Sequence, residues 1–219
     1  MRALVTGGTG RIGAAIAGRL EQDGWAVLAA GRSDGDLADI GQARDLVARA
    51  VDELGGLDLL VNAAGEGFTP KPLEELDERD WEAAFGATAK GSFFVSQGAA
   101  PHLRASRGCI VMIEDVAGYQ PWPSFAAHSA AKAAQAMLTR VLARALAPEV
   151  RVCGVAPGPV AVEPGQEERR AAETLLGRVG SPDDVANAVV YLAGAEFVTG
   201  STLFVDGGRL LKTSLTPGT

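Results

Sequence analysis

The sequence predicts an α/β protein organised as a doubly wound parallel sheet, and three observations predict it. Short apolar runs alternate with helical patterns along almost the whole chain. The runs are apolar at nearly every position, as strands covered on both faces are. A glycine-rich turn, TGGTGRIG at 6–13, joins the first run to the first helical pattern.

The elements follow in order. ALV at 3–5 reads as a strand. Ile12, Ile16 and Leu20 recur at i, i+4 and i+8, one face of a helix over 12–22. WAVLAA at 25–30 is the second strand. Ile40, Ala43, Leu46, Val47, Ala50, Val51 and Leu54 keep helical spacing within 38–54. LDLLV at 57–61 is a strand, and 74–105 holds one or two helices. CIVMI at 109–113, VRVCGV at 150–155 and TLFV at 202–205 are the remaining strands. Between them lie a long Ala-rich helix over 125–147 and a helix over 182–194.

One connection is too short for a standard crossover. Only a few residues separate Arg32 from GDLAD at 35–39, whereas a parallel crossover takes at least about 10–12. One edge strand and its crossover helix are therefore expected to be shortened or missing. No repeat, linker or low-complexity tract interrupts the chain, so residues 1–219 are expected to form a single domain.

Composition narrows the function classes. A chain of 219 residues buries a core without disulfides or a structural metal. The net charge of −7 argues against nucleic-acid and membrane-surface partners, which want basic patches. Cys109 and Cys153 sit in apolar runs with no CxxC, so they read as buried small hydrophobes, and no metal site is expected. MRALVTGG has one charge and passes straight into a strand, unlike a signal peptide. No apolar run reaches the ~18 residues of a membrane span. A cytoplasmic location is the expectation.

The glycine-rich turn carries chemistry. Gly7, Thr9, Gly10, Arg11, Ile12 and Gly13 lie where a backbone can approach a pyrophosphate, with helix N–H donors behind it. That is the layout of a Rossmann-like dinucleotide site. At the end of the second strand the chain reads Gly31-Arg32-Ser33, with no acid at 31 to hold ribose hydroxyls. Arg11, Arg32 and Ser33 suit a 2′-phosphate instead, so NADP(H) is the expected cofactor. The alternative is that Arg32 is a solvated surface residue.

TGGTGRIG, GDLAD (35–39), LVNAAG (60–65), the lysine of HSAAK (128–132), VAPGPV (155–160) and VTGSTLFVDGG (198–208) occur in one order. In that order they resemble the short-chain dehydrogenases/reductases, over about residues 2–211. The resemblance implies that Asp36 and Leu37 hold the adenine and that Asn62, Ala63, Ala64 and Gly65 pass under the adenosine half. It implies that Pro157 and Gly158 frame the nicotinamide, and that Lys132 holds its ribose. Within the family the chain is most similar to the pteridine reductase branch. Arg11 stands in the glycine loop, Asp115 lies thirteen residues before position 128, GFTPKPL (67–73) is similar to its substrate loop, and residues 162–184 are similar to its C-terminal half. A 3-oxoacyl-type reductase is the alternative within the family. The resemblance also implies a homotetramer or homodimer, assembled through helices 88–105 and 125–147 and the C-terminal strand.

The departures from the family pattern fall in the catalytic set. His128 stands where the family has the Tyr of YxxxK, Asp115 where it has Ser, and Thr88 where it has Asn. Lys132 alone is unchanged. Two readings stay open. In the first, the protein is an oxidoreductase using NADPH to reduce a small carbonyl or pterin-like C=N substrate. His128 then serves as the acid near neutral pH, Asp115 orients it, and Lys132 lies on the same helix face. The difficulty is reach. Imidazole ends roughly 2 Å short of a phenol oxygen, and misplacement on that scale is costly. In the second reading the chain is a catalytically impaired NADP(H)-binding relative with a sensing or scaffolding role. Phe68, Tyr119 and Trp122 flank the expected mouth, where they suit stacking on a planar substrate or plain packing.

Overall fold

A computed structural model describes residues 1–65 and 69–212. Six parallel strands form one sheet: β1 (Arg2–Thr6), β2 (Ala26–Ala30), β3 (Leu59–Asn62), β4 (Cys109–Ile113), β5 (Arg151–Pro157) and β6 (Thr202–Val205). Their spatial order is β2-β1-β3-β4-β5-β6. β1 thus has β2 on one side and β3 on the other, and the direction of winding reverses there. Ligand crevices form above the carboxyl ends of strands at such a switch point.

The near-continuous apolar runs have their reason in the layers. Every residue of β3 and β4 is buried. Leu4, Leu60, Ile110 and Val152 point into one layer, made by α2 (Ile40–Leu54), α4 (Ser92–Ser106) and α5 (Ala126–Leu146). Val5, Val61, Val111 and Val155 point into the other, made by α1 (Arg11–Gln22) and α7 (Pro182–Gly194). Successive strand side chains alternate between faces, so a doubly covered strand must be apolar at both parities.

The helices begin and end where local chemistry says they should. The Asp39 carboxylate accepts the Gln42 N–H and caps α2, which ends at Gly55 with φ +71°. Ser181 and Asp184 cap α7 reciprocally: Ser181 Oγ accepts from Asp184 N at 3.2 Å, and Asp184 Oδ2 accepts from Ser181 N at 2.8 Å.

The short connection after β2 is as expected. A single 3-10 turn, Arg32–Asp34, leads to α2, and no strand lies beyond β2 among the described residues. The stretch 74–105 resolves into α3 (Glu78–Phe85) and α4, joined by a wide π-helical stretch over Gly86–Gly91. The sequence pattern missed one short helix, α6 (Glu167–Ala171), because its residues EERRA carry no apolar stripe.

Candidate active site

The glycine turn is shaped by close backbone approach. Gly7 has φ +64°, and a Cβ there would stand 2.7 Å from the Ala63 carbonyl oxygen. A Cβ on Gly13 would collide with the Gly7 carbonyl, so α1 packs directly on the turn. The first turn of α1 has no side-chain cap and no acidic residue. Its N–H donors and positive dipole end are thus offered to an anion. Cradle and helix end together fit a dinucleotide pyrophosphate.

A crevice of about 240 Å³ opens between this turn and the end of β2. Of the expected cofactor residues, Gly7, Thr9, Gly10, Arg32, Asp36, Leu37, Ala63, Ala64 and Gly65 line it. Ser33 is exposed and lies outside the lining. Asn62 lies beneath the floor. Its Nδ2 donates to Ser96 Oγ at 3.0 Å, and its buried Oδ1 has no partner among the described residues. The bare Gly31 also has a steric reason, since a Cβ would sit 2.5 Å from Thr9 Oγ1. The sequence reading passed over Asp34 nearby. Its carboxylate accepts the Gly31 N–H at 2.8 Å and pairs with Arg49 at 2.8 Å. Both interactions hold its pKa below the usual carboxylate value.

A second cleft of about 650 Å³ continues from the first. It holds Arg11, Ile12, Asp115, Trp122, His128, Lys132, Pro157 and Gly158 from the expected set. His128 Nε2 lies 3.3 Å from Asp115 Oδ2. The aim of that carboxylate is fixed by the chain, because Asp115 Oδ1 accepts the Ala117 N–H at 2.8 Å and caps a 3-10 turn at Val116–Gly118. Gly118 lets this turn press on α5, where a Cβ would meet the Lys132 backbone at 2.8 Å. Gly158 packs as closely on Asp206, which fixes the Pro157–Gly158 wall.

Lys132 lies on the cleft face of α5 but is only 8% exposed. Its Nζ donates to Ile113 O at 2.8 Å and Gln135 Oε1 at 3.0 Å. Burial lowers its pKa from the ordinary lysine value, opposed by Asp115 and Glu114. Gln135 Nε2 donates to Ser92 Oγ, and Ser92 Oγ donates to Thr88 O at 2.5 Å. Gln135 was not foreseen. Its only trace in the sequence is a polar residue on the buried face of an Ala-rich helix.

Three expectations need correcting. Arg11 does not turn towards the end of β2. As the first residue of α1 it crosses the second cleft to Val162 O and Glu163, so Arg32 has no second arginine beside it from the glycine turn. The Thr88 side chain is buried and is not among the groups lining the cleft, its Oγ1 lying 3.5 Å from where a Gly65 Cβ would stand; its carbonyl is what joins the chain of hydrogen bonds from Lys132. Tyr119 does not flank the mouth. Its Oη donates to Glu114 Oε2 at 2.5 Å, and its ring packs edge-on against Phe204. Burial and the Glu114 carboxylate push the phenol pKa up. Asn62, expected to pass under the adenosine half, lies below the crevice and is anchored there by Ser96. Phe68 lies outside the described residues.

Glu114 is the anchor of that Tyr119 cluster and was also missed. It is 2% exposed, and accepts from Thr139 Oγ1 at 2.6 Å and Thr202 Oγ1 at 3.1 Å as well as Tyr119. Gly154 on β5 leaves it room. An acid ending an apolar strand opposite a glycine is the signal that marks such a residue.

Comparisons with known proteins agree with this geometry. A family model described as enoyl-(acyl carrier protein) reductase matches residues 32–209. A 4-formylbenzenesulfonate dehydrogenase of Comamonas testosteroni is 35% identical over 243 residues, covering 94% of this chain and 96% of that one. The human protein dehydrogenase/reductase SDR family member 4 is 31% identical over 239 residues, covering 94% and 86%. The ligand-free structure of Thermoplasma acidophilum aldohexose dehydrogenase superposes with a TM-score of 0.90 at 26% identity, covering 99% and 96%.

Proposed function

The chain belongs to the short-chain dehydrogenase/reductase family of oxidoreductases, and on that premise we propose that it uses NADPH to reduce a small carbonyl or pterin-like C=N bond, with His128 and Asp115 as the proton-donating pair. The 3.3 Å approach of His128 Nε2 to Asp115 Oδ2, inside the cleft that the Pro157–Gly158 wall closes, carries this reading.

The nicotinamide, when bound, supplies the hydride. The chain does the rest. Gly7, Gly10 and the open end of α1 receive the pyrophosphate. Asp36, Leu37 and Ala63–Gly65 enclose the adenosine half. Arg32 faces the 2′-phosphate across a position that Gly31 leaves without an acid, and Arg49 neutralises Asp34. His128 gives a proton to the substrate oxygen or nitrogen, directly or through a bridging water that makes up its shorter reach. Asp115 fixes the ring. Lys132 adds positive charge beneath the reacting atoms.

The Comamonas relative is named for a formyl compound, which supports a carbonyl substrate. A ketoacyl reductase among the relatives, 33% identical over 238 residues, supports the 3-oxoacyl-type alternative. The pteridine reductase-like reading rests on Arg11, Asp115 and the sequence GFTPKPL at 67–73. Self-association as a homotetramer or homodimer is part of the proposal, supported by apolar side chains left exposed at Met137 and Val141 on α5 and Leu203 and Phe204 on β6. So is a cytoplasmic location; no described helix is long and apolar enough to cross a membrane.

One observation favours the impaired, cofactor-binding reading. Lys132 is drawn inward to Ile113 O and Gln135, and two of its three donors are engaged there. Following NADPH oxidation across a panel of aldehydes, diketones and quinonoid pterins, beside a direct NADPH titration, separates the two. Turnover supports the reductase; binding with no turnover on any member selects the impaired relative.

A further inference from the structure

The wall of the second cleft opposite the glycine turn is cationic, although the chain carries a net charge of −7. Arg170, on α6, and Arg209, just after β6, both line it. They share one carboxylate. Glu173 accepts from Arg170 Nη1 at 3.0 and 3.1 Å and pairs with Arg209 Nη2 at 3.0 Å. The two side chains are only 22% and 15% exposed. Arg170 Nε is buried with no hydrogen-bond partner among the described residues. The Arg209 guanidinium stacks 4.5 Å from the centroid of the Trp122 ring. The turn that holds it there is tied down, since the Asp206 carboxylate accepts the N–H groups of Gly208 and Leu210 at 2.9 Å each.

Two guanidiniums carry ten N–H donors between them, and a single carboxylate satisfies few of these. Burial and the neighbouring Arg170 both disfavour the charge on Arg209, while Glu173 and Asp115 favour it. An arginine does not shed its proton to relieve this; Asp206 adds a further carboxylate nearby, but the buried Arg170 Nε still has no partner among the described residues, and an added anion would meet it. Asp115, the partner of His128, lies within electrostatic reach of Arg209, so both belong to one substrate-sized space.

We propose that Arg170 and Arg209 recognise a carboxylate on the substrate, so that the substrate class is a flat carbonyl compound with a fixed negative charge, its ring beside the Arg209–Trp122 stack and its reacting carbon towards His128. Paired guanidiniums match a carboxylate through parallel N–H···O bonds, and a ring–guanidinium stack beside them favours a planar body over an aliphatic one. The turnover part rests on the reductase reading; the binding part does not.

Two measurements on the full chain test it. In the first, benzoate is titrated by calorimetry, without cofactor and then with saturating NADP. Binding is expected in both. Arg209→Gln and Arg170→Gln should each weaken it at least tenfold, and Arg209→Lys less than Arg209→Gln. Glu173→Gln removes the competing carboxylate and should tighten it, a change that a purely structural triad would not produce. In the second, 4-formylbenzoate is compared with its neutral methyl ester as substrate for NADPH oxidation. The acid should have at least tenfold higher kcat/KM, through KM, and that ratio should collapse towards one in Arg209→Gln. Benzoate binding without turnover of either aldehyde upholds the anion site and removes the reductase reading. Equal kcat/KM for the two aldehydes with no benzoate binding overturns the anion site and leaves the reductase. Variants that weaken NADPH as much as benzoate also overturn it, because the arginines would then serve the cofactor.

Discussion

The two clefts share the carboxyl edge of one sheet but are made of different material. The crevice at the glycine turn is built from main chain: glycines at 7, 10 and 31, the open end of α1, and the Ala63–Gly65 segment. The His128 cleft is built from charged side chains delivered by α1, α5, α6 and the segments after β4, β5 and β6. A main-chain site has its affinity fixed by backbone shape and helix dipole. A side-chain site has its chemistry set by whichever charges the surrounding elements bring together. The first should fail through sterics and the second through charge.

The largest effect is expected where the main chain has no slack. Gly7 combines φ +64° with the 2.7 Å approach to Ala63 O. A side chain there adds about 1–3 kcal/mol of backbone strain to a collision with backbone. Gly7→Val should therefore weaken NADPH binding by at least about 100-fold, measured by titration, with the far-ultraviolet circular dichroism retained. A variant that binds normally would mean the crevice is not the pyrophosphate site.

The His128 cleft is tested by charge at near-constant shape. If the reductase reading holds, His128→Ala should cut turnover about 100-fold or more while leaving NADPH titration unchanged. Asp115→Asn keeps the shape and removes the charge, so it should slow turnover without altering cofactor affinity. In the impaired reading His128→Ala changes nothing, and His128→Tyr raises activity by restoring the longer reach.

Much of the fold was legible because it is periodic. The parity of β3 and β4 and the stripe of Ile16 and Leu20 are consequences of burial on two sides, and burial writes itself into local sequence. Most residues of the crevice at the glycine turn were grouped from the sequence for a different reason, being local to one turn, one strand end and one short segment after β3. Arg11 shows where local reading stops. In the sequence it stands in the glycine loop, yet its position on α1 sends it to Val162 and Glu163, 151 and 152 residues away. Glu114, Gln135 and the Arg170–Arg209 pair went unread because, beside near neighbours such as Tyr119, Lys132 and Glu173, they are joined to groups from distant segments: Glu114 to Thr202, Gln135 to Ser92, and Arg170 through Glu173 to Arg209. Tyr119 was misread for the converse reason, since an aromatic near the mouth in sequence is turned away by a buried acid five residues earlier.

The cofactor preference probes the border between the two regions. Arg32 is a side chain set at the edge of a main-chain crevice. One or two charge-assisted bonds to a 2′-phosphate should make NADPH bind tighter than NADH by about 1.5–3 kcal/mol. Arg32→Asp should abolish or reverse this, read as the ratio of the two dissociation constants. Equal affinity in the unmutated protein would leave Arg32 a surface residue and remove the NADP assignment.

The smallest expected effect lies outside both regions, in the scaffold beneath them. Asp184 caps α7, the helix that packs beside α1 under the glycine turn. Its carboxylate also pairs with Arg178 at 2.9 Å, and these contacts hold its pKa at about 2. Asp184→Asn should lower stability by about 1 kcal/mol, most of it from the cap, because the ion pair is largely exposed and screened. The folded-state value is depressed below the unfolded ~3.9. The contribution is thus complete above about pH 4 and is lost as pH falls towards 2, where the unfolded chain binds the extra proton first. Urea unfolding of the two proteins should differ at pH 7 and converge in acid. Since α7 touches neither set of ligand groups, the ratio of NADPH affinity to turnover should not change. A variant that lost one and kept the other would show that the main-chain crevice and the side-chain cleft are not carried by one rigid sheet.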